Sequence, residues 1–171
     1  PLVDVTECIG TPITFAVSDA AGGDGDIWYD WGTGPLRDTL WTVTPTNDTT
    51  LCITVSDGCE TPVVTSCANI TLLRTPPMIY SVDTAFGCDP LGVVFSFVDT
   101  TGGAQIRWDL GDGTVVDGDT SLTHVYEQAG NFDVSVEVEW PNGCITDTTM
   151  IDLVRVLTVP TASFTWSPRP T

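Results

Sequence analysis

Carboxylates are the commonest side chains in this chain that could carry chemistry. Its 171 residues include 18 Asp and five Glu, but only five Arg and no Lys, and its net charge is −18. A surface this negative attracts divalent cations and repels phosphate groups. We therefore expect no nucleic acid and no membrane among the partners.

Four aspartates within a short stretch form the candidate metal site: Asp109, Asp112, Asp117 and Asp119. Carboxylate oxygens are ligands that calcium prefers, so one interpretation is a calcium site. The spacing departs from the EF-hand template, because, counted from Asp117, the glycine position holds Leu122 and the last ligand position holds Gln128. Aspartates also accept hydrogen bonds from turn amides. We favour that role and keep calcium as the functional alternative.

The residue types of the chain give little support to a catalytic function. His124 is the only histidine, and no G-x-S-x-G motif supplies an activated serine for it. No glycine-rich phosphate loop is present either. A glycosidase needs only two carboxylates brought together in space, an alternative that the sequence leaves open. We expect no enzyme, and no cofactor other than the calcium of the alternative above.

The six cysteines are Cys8, Cys52, Cys59, Cys67, Cys88 and Cys144. None forms a C-x-x-C pair, and one histidine is too few for the usual zinc patterns. An even number of cysteines in short domains predicts disulfides, and hence an oxidising, extracellular location. Free buried thiols are the alternative.

Alternation of apolar and polar residues predicts strands throughout the chain. In residues 132–140, one face carries Phe, Val and Trp, and the other carries Asp, Ser and Glu. Short runs of this kind, separated by Gly, Asp, Asn and Pro, are typical of β-sandwiches, and no segment has a helical stripe. The sequence predicts an all-β fold.

The chain also contains an internal repeat. The first copy's Cys8, Phe15 and Asp19 recur 80 positions later, and residues 27–34 recur as 106–113. Ordered matches at a nearly constant displacement predict two copies of one domain, residues 1–75 and 76–157, joined at a proline pair. Residues 158–171 are expected to be the first strand of a third copy, truncated at its end.

Repeat equivalence also predicts how the cysteines pair. Cys88 and Cys144 are the only two in the second domain, so we expect them to form a disulfide, and by analogy Cys8 with Cys59. Cys52 and Cys67 remain. Their apolar neighbours face inward on adjacent strands, so both cysteines face outward, where they can lie opposite each other at bonding distance.

Residues 76–157 resemble the PKD domain, a seven-stranded immunoglobulin-like sandwich. The family's W-D-F-G-D-G turn corresponds to Trp108–Gly113, its H-x-Y to His124–Tyr126, and its G-x-Y/F-x-V-x-V strand to Gly130–Val136. Residues 1–75 are a divergent relative, because Thr33 replaces the second Asp of the turn and no H-x-Y follows.

The resemblance implies roles for the motif residues. Trp108 is expected to be buried, Asp109 to accept hydrogen bonds from the turn amides, and His124 to pack and hydrogen-bond beside Tyr126. Asp112 belongs to the same turn. The remaining members are glycines that permit positive φ, Gly111 and Gly113.

The arrangement of cysteines resembles modules of giant surface proteins of gliding bacteria, which are exported by type IX secretion. That resemblance implies a structural or adhesive array, extending or forming a fibre, stalk or adhesin. Its expected partners are neighbouring repeats, other copies, or a surface polysaccharide or protein. The alternative is a polymer-binding accessory module of a secreted hydrolase. Trp41 and Trp140 are its candidate sugar platform, although their strand positions favour burial in the core.

Overall fold

The computed structural model describes residues 1–18, 26–57 and 63–167. Within these residues the chain forms strands and turns, and no helix is long and apolar enough to span a membrane. The chain divides into two compact units, Pro1–Arg74 and Thr75–Thr171.

The described residues of the first unit form seven strands in two sheets. The strands are β1 (Val5–Cys8), β2 (Ile13–Ala16), β3 (Trp28–Asp30), β4 (Pro35–Leu36), β5 (Leu40–Val43), β6 (Thr49–Ser56) and β7 (Val64–Leu73). The larger sheet has the order β1-β7-β6-β3-β4, and β2 pairs with β5 in the smaller one. All pairs are antiparallel except β1 with β7.

In the second unit, residues 75–167 form eight strands in the same general arrangement. They are β8 (Tyr80–Val82), β9 (Phe86–Cys88), β10 (Leu91–Phe97), β11 (Gln105–Asp109), β12 (Val115–Asp117), β13 (Ser121–Tyr126), β14 (Gly130–Glu139) and β15 (Ile145–Leu157). One sheet has the order β12-β11-β14-β15-β9, and the other the order β13-β10-β8. β9 and β15 pair in parallel, as β1 and β7 do in the first unit.

Each unit has its own apolar core between its two sheets. In the second unit, inward-facing residues of β10, β11, β13, β14 and β15 form one buried cluster that includes Phe95, Trp108 and Val136. In the first unit a smaller cluster includes Phe15 and Ile53. The alternation along β14 places every second residue in this core, because successive side chains of a strand point to opposite faces.

The predicted fold class, tandem all-β sandwiches, is confirmed. Residues 158–167 follow β15 without forming a ladder with any described strand. Their assignment to the first strand of a third domain therefore stays a prediction, and residues 168–171 lie outside the described part.

Candidate functional site

The turn between β11 and β12 is the centre of the candidate site. Trp108, at the end of β11, is fully buried, and its Nε1 donates a hydrogen bond to the carbonyl oxygen of Asp119 at 3.2 Å. Phe95 packs against the indole with a ring-centroid separation of 5.7 Å. The buried indole thus connects β11 to the residues that follow β12.

The turn itself is built by an aspartate and a glycine. The carboxylate of Asp109 accepts a hydrogen bond from the amide of Gly111 at 3.0 Å. Gly111 has a φ of 79°, and a Cβ at this position would collide with the backbone oxygen of Asp133 on β14. Glycine is therefore required twice here, once for the left-handed backbone and once for the close approach of the two chain segments.

A polar network supports the turn from β13. His124 Nε2 lies 2.6 Å from Asp112 Oδ2, and both side chains are mostly buried. The other carboxylate oxygen of Asp112 accepts a hydrogen bond from the amide of Thr114 at 2.9 Å. The Tyr126 hydroxyl donates to the carbonyl oxygen of Leu110 at 2.9 Å, and the edge of the His124 ring packs on Tyr126.

Two pKa shifts follow from this network. Burial acts to raise the pKa of Asp112, but the hydrogen bonds from His124 and Thr114 outweigh it, so the pKa lies below its ordinary value. Burial raises the pKa of Tyr126, and the negative charges of Asp112 and Asp109 add to that increase. Both shifts favour the protonation states that complete the network at neutral pH.

The four candidate calcium ligands have different neighbours. Asp109 and Asp112 hold the turn, whereas Asp117 forms an exposed ion pair with Arg107 at 3.3 Å. Asp119 contributes its backbone oxygen to the indole of Trp108. Among the residues that the structure describes, no three His, Cys, Asp or Glu side chains are grouped so that they could hold a metal ion. Calcium binding stays a prediction for experiment.

The predicted disulfide between Cys52 and Cys67 is confirmed. The two residues lie directly opposite each other on β6 and β7, with their Cα atoms 4.0 Å apart. Both cysteines lie on the outer face of the larger sheet, as the alternation of their apolar neighbours indicates.

The predicted disulfide between Cys88 and Cys144 is wrong. Cys88 is an exposed free thiol beside Leu157, at the carboxyl end of β15, whereas the buried Cys144 is disulfide-bonded and immediately precedes the other end of that strand. The 13-residue strand β15 runs from the residue after Cys144 to Leu157, a length of roughly 40 Å, which is far beyond bonding distance. The predicted bridge between Cys8 and Cys59 includes a residue that lies outside the described part of the chain.

Sequence reasoning missed a further structural aspartate in the second unit. Asp99 accepts hydrogen bonds from the amide and hydroxyl of Thr101 and from the amide of Ala104, at 2.6 to 3.0 Å. The hydroxyl of Thr101 is the largest cause that lowers the pKa of Asp99 to about 2. The recurrence of Asp19 as Asp99 in the repeat was the available signal, although Asp19 lies outside the described residues.

A shallow groove on the outer face of β11, β14 and β15 was also missed. Cross-strand neighbours line it in two rows, Arg107 with Glu137 and Asp147, and Asp109 with Ser135 and Thr149. Alternation predicts that these side chains face outward, but only the strand register places them side by side. The carboxylates here are spread over an open surface and do not converge in a cleft.

Two sheets packed face to face, with the parallel pairing of an early strand and the last strand, define each unit as an immunoglobulin-like β-sandwich. Residues 84–153 match the family model of the PKD domain. The matched segment of 70 residues lies within the second unit, which is therefore similar to the PKD domain.

Solved structures provide further comparisons. The PKD1 domain of Vibrio anguillarum Epp is 25% identical over 47% of this chain and 94% of its own, with a TM-score of 0.39. The PKD domain of the human VPS10 domain-containing receptor SorCS2 is 22% identical over 63% of this chain and 97% of its own, with a TM-score of 0.40. Titin domains z1z2 are 12% identical over 94% and 95%, with a TM-score of 0.34. No curated protein sequence matches the chain at a significant level.

Proposed function

We propose that this chain is a non-catalytic structural or adhesive segment of a large extracellular surface protein, in which it extends or forms a fibre, stalk or adhesin. The supporting observation is the use of the motif residues. Asp109, Asp112, His124 and Tyr126 each bond to another part of the same turn and its supports. Such a site stabilises a sandwich and leaves none of these groups directed at a substrate.

The disulfide supports an extracellular location. The Cys52–Cys67 bond lies on an exposed sheet face, and such bonds persist in oxidising compartments. The arrangement of cysteines further resembles modules of surface proteins exported by type IX secretion in gliding bacteria, and we propose that context for the parent protein.

The two candidate aromatics give little support to the alternative role, binding a polymer for a secreted hydrolase. Trp140 is buried in the core of the second unit, with its Nε1 bonded to Thr146. Trp41 stacks on Trp31 in the first unit, with ring centroids 6.4 Å apart. Trp140 therefore presents no open face on which a sugar ring could stack, and Trp41 is partly buried against the core of the first unit.

Two experiments test the proposal. Antibodies raised against the chain should label intact cells of the source organism; label that appears only after permeabilisation would contradict the surface location. Co-sedimentation with insoluble chitin, cellulose or collagen tests the alternative. We expect less than about 10% of the chain to pellet at 1 mg/ml polymer, and saturable binding with Kd near 1 μM would support the accessory role instead.

A further inference from the structure

The smaller sheets of the two units differ at one edge. In the second unit β10 is covered on both sides, by β13 and by β8, whereas among the described residues of the first unit β2 pairs with β5 alone. Phe15 corresponds to Phe95 in the repeat, so the β2 edge corresponds to the edge of β10 that β8 covers. This uncovered edge, residues 13–17, is hereafter the open edge.

The residues that correspond to β8 bind elsewhere in the first unit. Val82 pairs with Phe95, but Leu2, its counterpart 80 positions earlier, donates its amide to the hydroxyl of Ser66 on β7. Asp4 likewise accepts a hydrogen bond from the amide of Asn69 on the same strand. Leu2 and Asp4 therefore lie along the larger sheet, and no other described strand pairs with the second edge of β2.

The backbone groups at the open edge can be assigned. The amide of Phe97 bonds across to Thr120 in the β13 direction, and the amide of Val17 bonds to Thr39 in the same way. Because successive residues of a strand direct their amides to opposite sides, Thr14 and Ala16 direct theirs to the open edge. Both side chains are exposed. The edge carries no charged residue and no proline, the usual features that prevent pairing with another strand.

The segment after β15 has the properties of the missing strand. β8 begins seven residues after β7 ends, and Phe164 lies seven residues after the end of β15, so Phe164–Trp166 corresponds to Tyr80–Val82. The side chains of Phe164 and Trp166 are 92% and 87% exposed, and they alternate with small polar residues. Residues 158–167 are also uncharged, in a chain of net charge −18.

We propose that residues 161–167 of one copy add as an antiparallel strand to the open edge of a second copy. The register of β8 on β10 gives the pairing: Trp166 opposite Phe15, Thr165 opposite Ala16, and Phe164 opposite Val17. Main-chain hydrogen bonds then satisfy the edge amides, and the two aromatic side chains lose their exposure to water. Both surfaces are uncharged, so this contact avoids the repulsion that opposes other contacts between two acidic copies.

The contact supplies an interface for the fibre-forming version of the proposed function, and its biological use rests on that function. The two can fail separately. If the chain stays monomeric, the proposed contact is refuted, but a role as a stalk or adhesin is not. If intact cells show no surface label, the proposed function is refuted, but the contact between copies can still be measured.

Sedimentation velocity of the full chain from 5 to 500 μM tests the proposal, with Cys88→Ser as the background because its exposed free thiol could link copies. We expect concentration-dependent head-to-tail oligomers, stronger in 1 M than in 0.15 M NaCl because salt screens the acidic surfaces. Emission from Trp166 should shift to shorter wavelength as oligomers form. A monomer at every concentration in both salts would overturn the proposal.

Two variants isolate the two sides of the contact. Ala16→Pro removes an edge amide and leaves the pairing of β2 with β5 intact, because proline is tolerated where the amide faces outward. If that variant fails to fold, Ala16→Asp places a charge on the same edge. Phe164→Ser with Trp166→Ser removes the aromatic side chains of the incoming strand.

Each variant alone should associate at least tenfold more weakly than the background chain. A mixture of the two should form dimers and stop there, because the edge variant keeps a working strand and the strand variant keeps a working edge. Variants that self-associate as strongly as the background chain would contradict the assigned contact, as would a mixture that stays monomeric.

Discussion

The two units build the same turn on different supports. In the first unit Asp30 accepts hydrogen bonds from the amides of Gly32 and Gly34, at 2.8 and 3.0 Å, much as Asp109 does in the second. Behind the turn, however, Thr33 stands in place of Asp112, so the first unit lacks the carboxylate that bonds to His124. The backbone geometry of the turn is thus common to both units, and the polar network is specific to the second.

The first unit has other supports at corresponding positions. Trp31 takes the place of Leu110 and stacks on Trp41, with an interplanar angle of 13°. In the second unit the carboxylate of Asp133 accepts a hydrogen bond from the amide of Asp152 at a bulge. Cys52 occupies the corresponding position in the first unit, where it forms the disulfide across the strand pair. In the first unit, a stacked indole pair and a covalent bond therefore stand where the second unit has a hydrogen-bond network. The matched segment, residues 84–153, includes the residues of that hydrogen-bond network.

The largest expected effect comes from the core of the second unit. Trp108→Ala removes a fully buried indole and its hydrogen bond to Asp119, which should lower the free energy of unfolding of that unit by about 4 kcal/mol. Trp28→Ala is the matched control in the first unit, because that indole is half-buried and covered on one face by Arg37. Its cost should be about 1 kcal/mol. Urea unfolding followed by hydrogen exchange assigns each loss to its unit, and equal losses would show that Trp108 is no anchor.

The disulfide should be the corresponding support of the first unit. Replacing both Cys52 and Cys67 with Ser opens a loop that spans 15 residues, and the expected loss is about 3 kcal/mol, confined to the first unit. Cys88→Ser, at an exposed free thiol, should change stability by less than about 0.5 kcal/mol. Urea midpoints measure both, and a loss in the second unit of the double variant would refute the assignment.

Alanine at equivalent glycines separates backbone conformation from crowding. Gly32 and Gly111 both have positive φ, so alanine should cost each about 1–2 kcal/mol. Only at Gly111 would the added Cβ meet another chain segment, the backbone of Asp133, which should add about 1–3 kcal/mol. Thermal unfolding of the two variants measures the difference, and equal costs would mean that β14 moves aside freely.

Acid should weaken the second unit through its carboxylates. The pKa of Asp112 is lower in the folded chain than its ordinary value of 3.8. The contribution of this carboxylate to stability is therefore complete above pH 3.8 and is lost as the pH falls through the folded pKa. Asp99, with a pKa of about 2, acts in the same direction. The midpoint of unfolding should fall between pH 5 and pH 2, and Asp112→Asn should make this fall smaller without abolishing it. An unchanged pH dependence would show that the His124 contact contributes nothing in solution.

The smallest expected effect is that of calcium. A site with a Kd of 10 μM would add about 2.7 kcal/mol at 1 mM calcium, which is a shift of many degrees in a domain of this size. Because the motif aspartates are engaged in the turn, we expect the melting midpoint to move by less than about 1 °C between 1 mM calcium and a chelator. If calcium raises the melting midpoint by more than this, and the Asp117→Asn variant shows no such increase, the calcium interpretation is supported.

Most of the fold could be predicted from the alternation of apolar and polar residues and from the turn residues. The inward-facing series along β14 and the opposed positions of Cys52 and Cys67 both follow from the two-residue period of a strand. The error at Cys88 has a definite physical origin. Repeat equivalence shows which positions correspond, but it does not show which end of a 13-residue strand each one lies beside.

The partners within the candidate site required the structure. The sequence places His124 beside Tyr126, but the carboxylate that bonds to His124 lies 12 residues earlier, on a turn whose position depends on strand register. The contact of Gly111 with Asp133 likewise joins β14 to a loop that is distant in sequence. Such contacts arise from tertiary packing, on which local patterns carry no information.

The central claim is that each unit is a sandwich with its own apolar core and its own turn supports. Native-state hydrogen exchange on four chains tests it directly: the unaltered chain, the Cys52→Ser/Cys67→Ser variant, Tyr126→Phe, and the combination of all three changes. The account predicts that protection falls only in the unit that carries each change, and that the losses add to within about 0.5 kcal/mol. Loss of protection across both units from either change alone would contradict it.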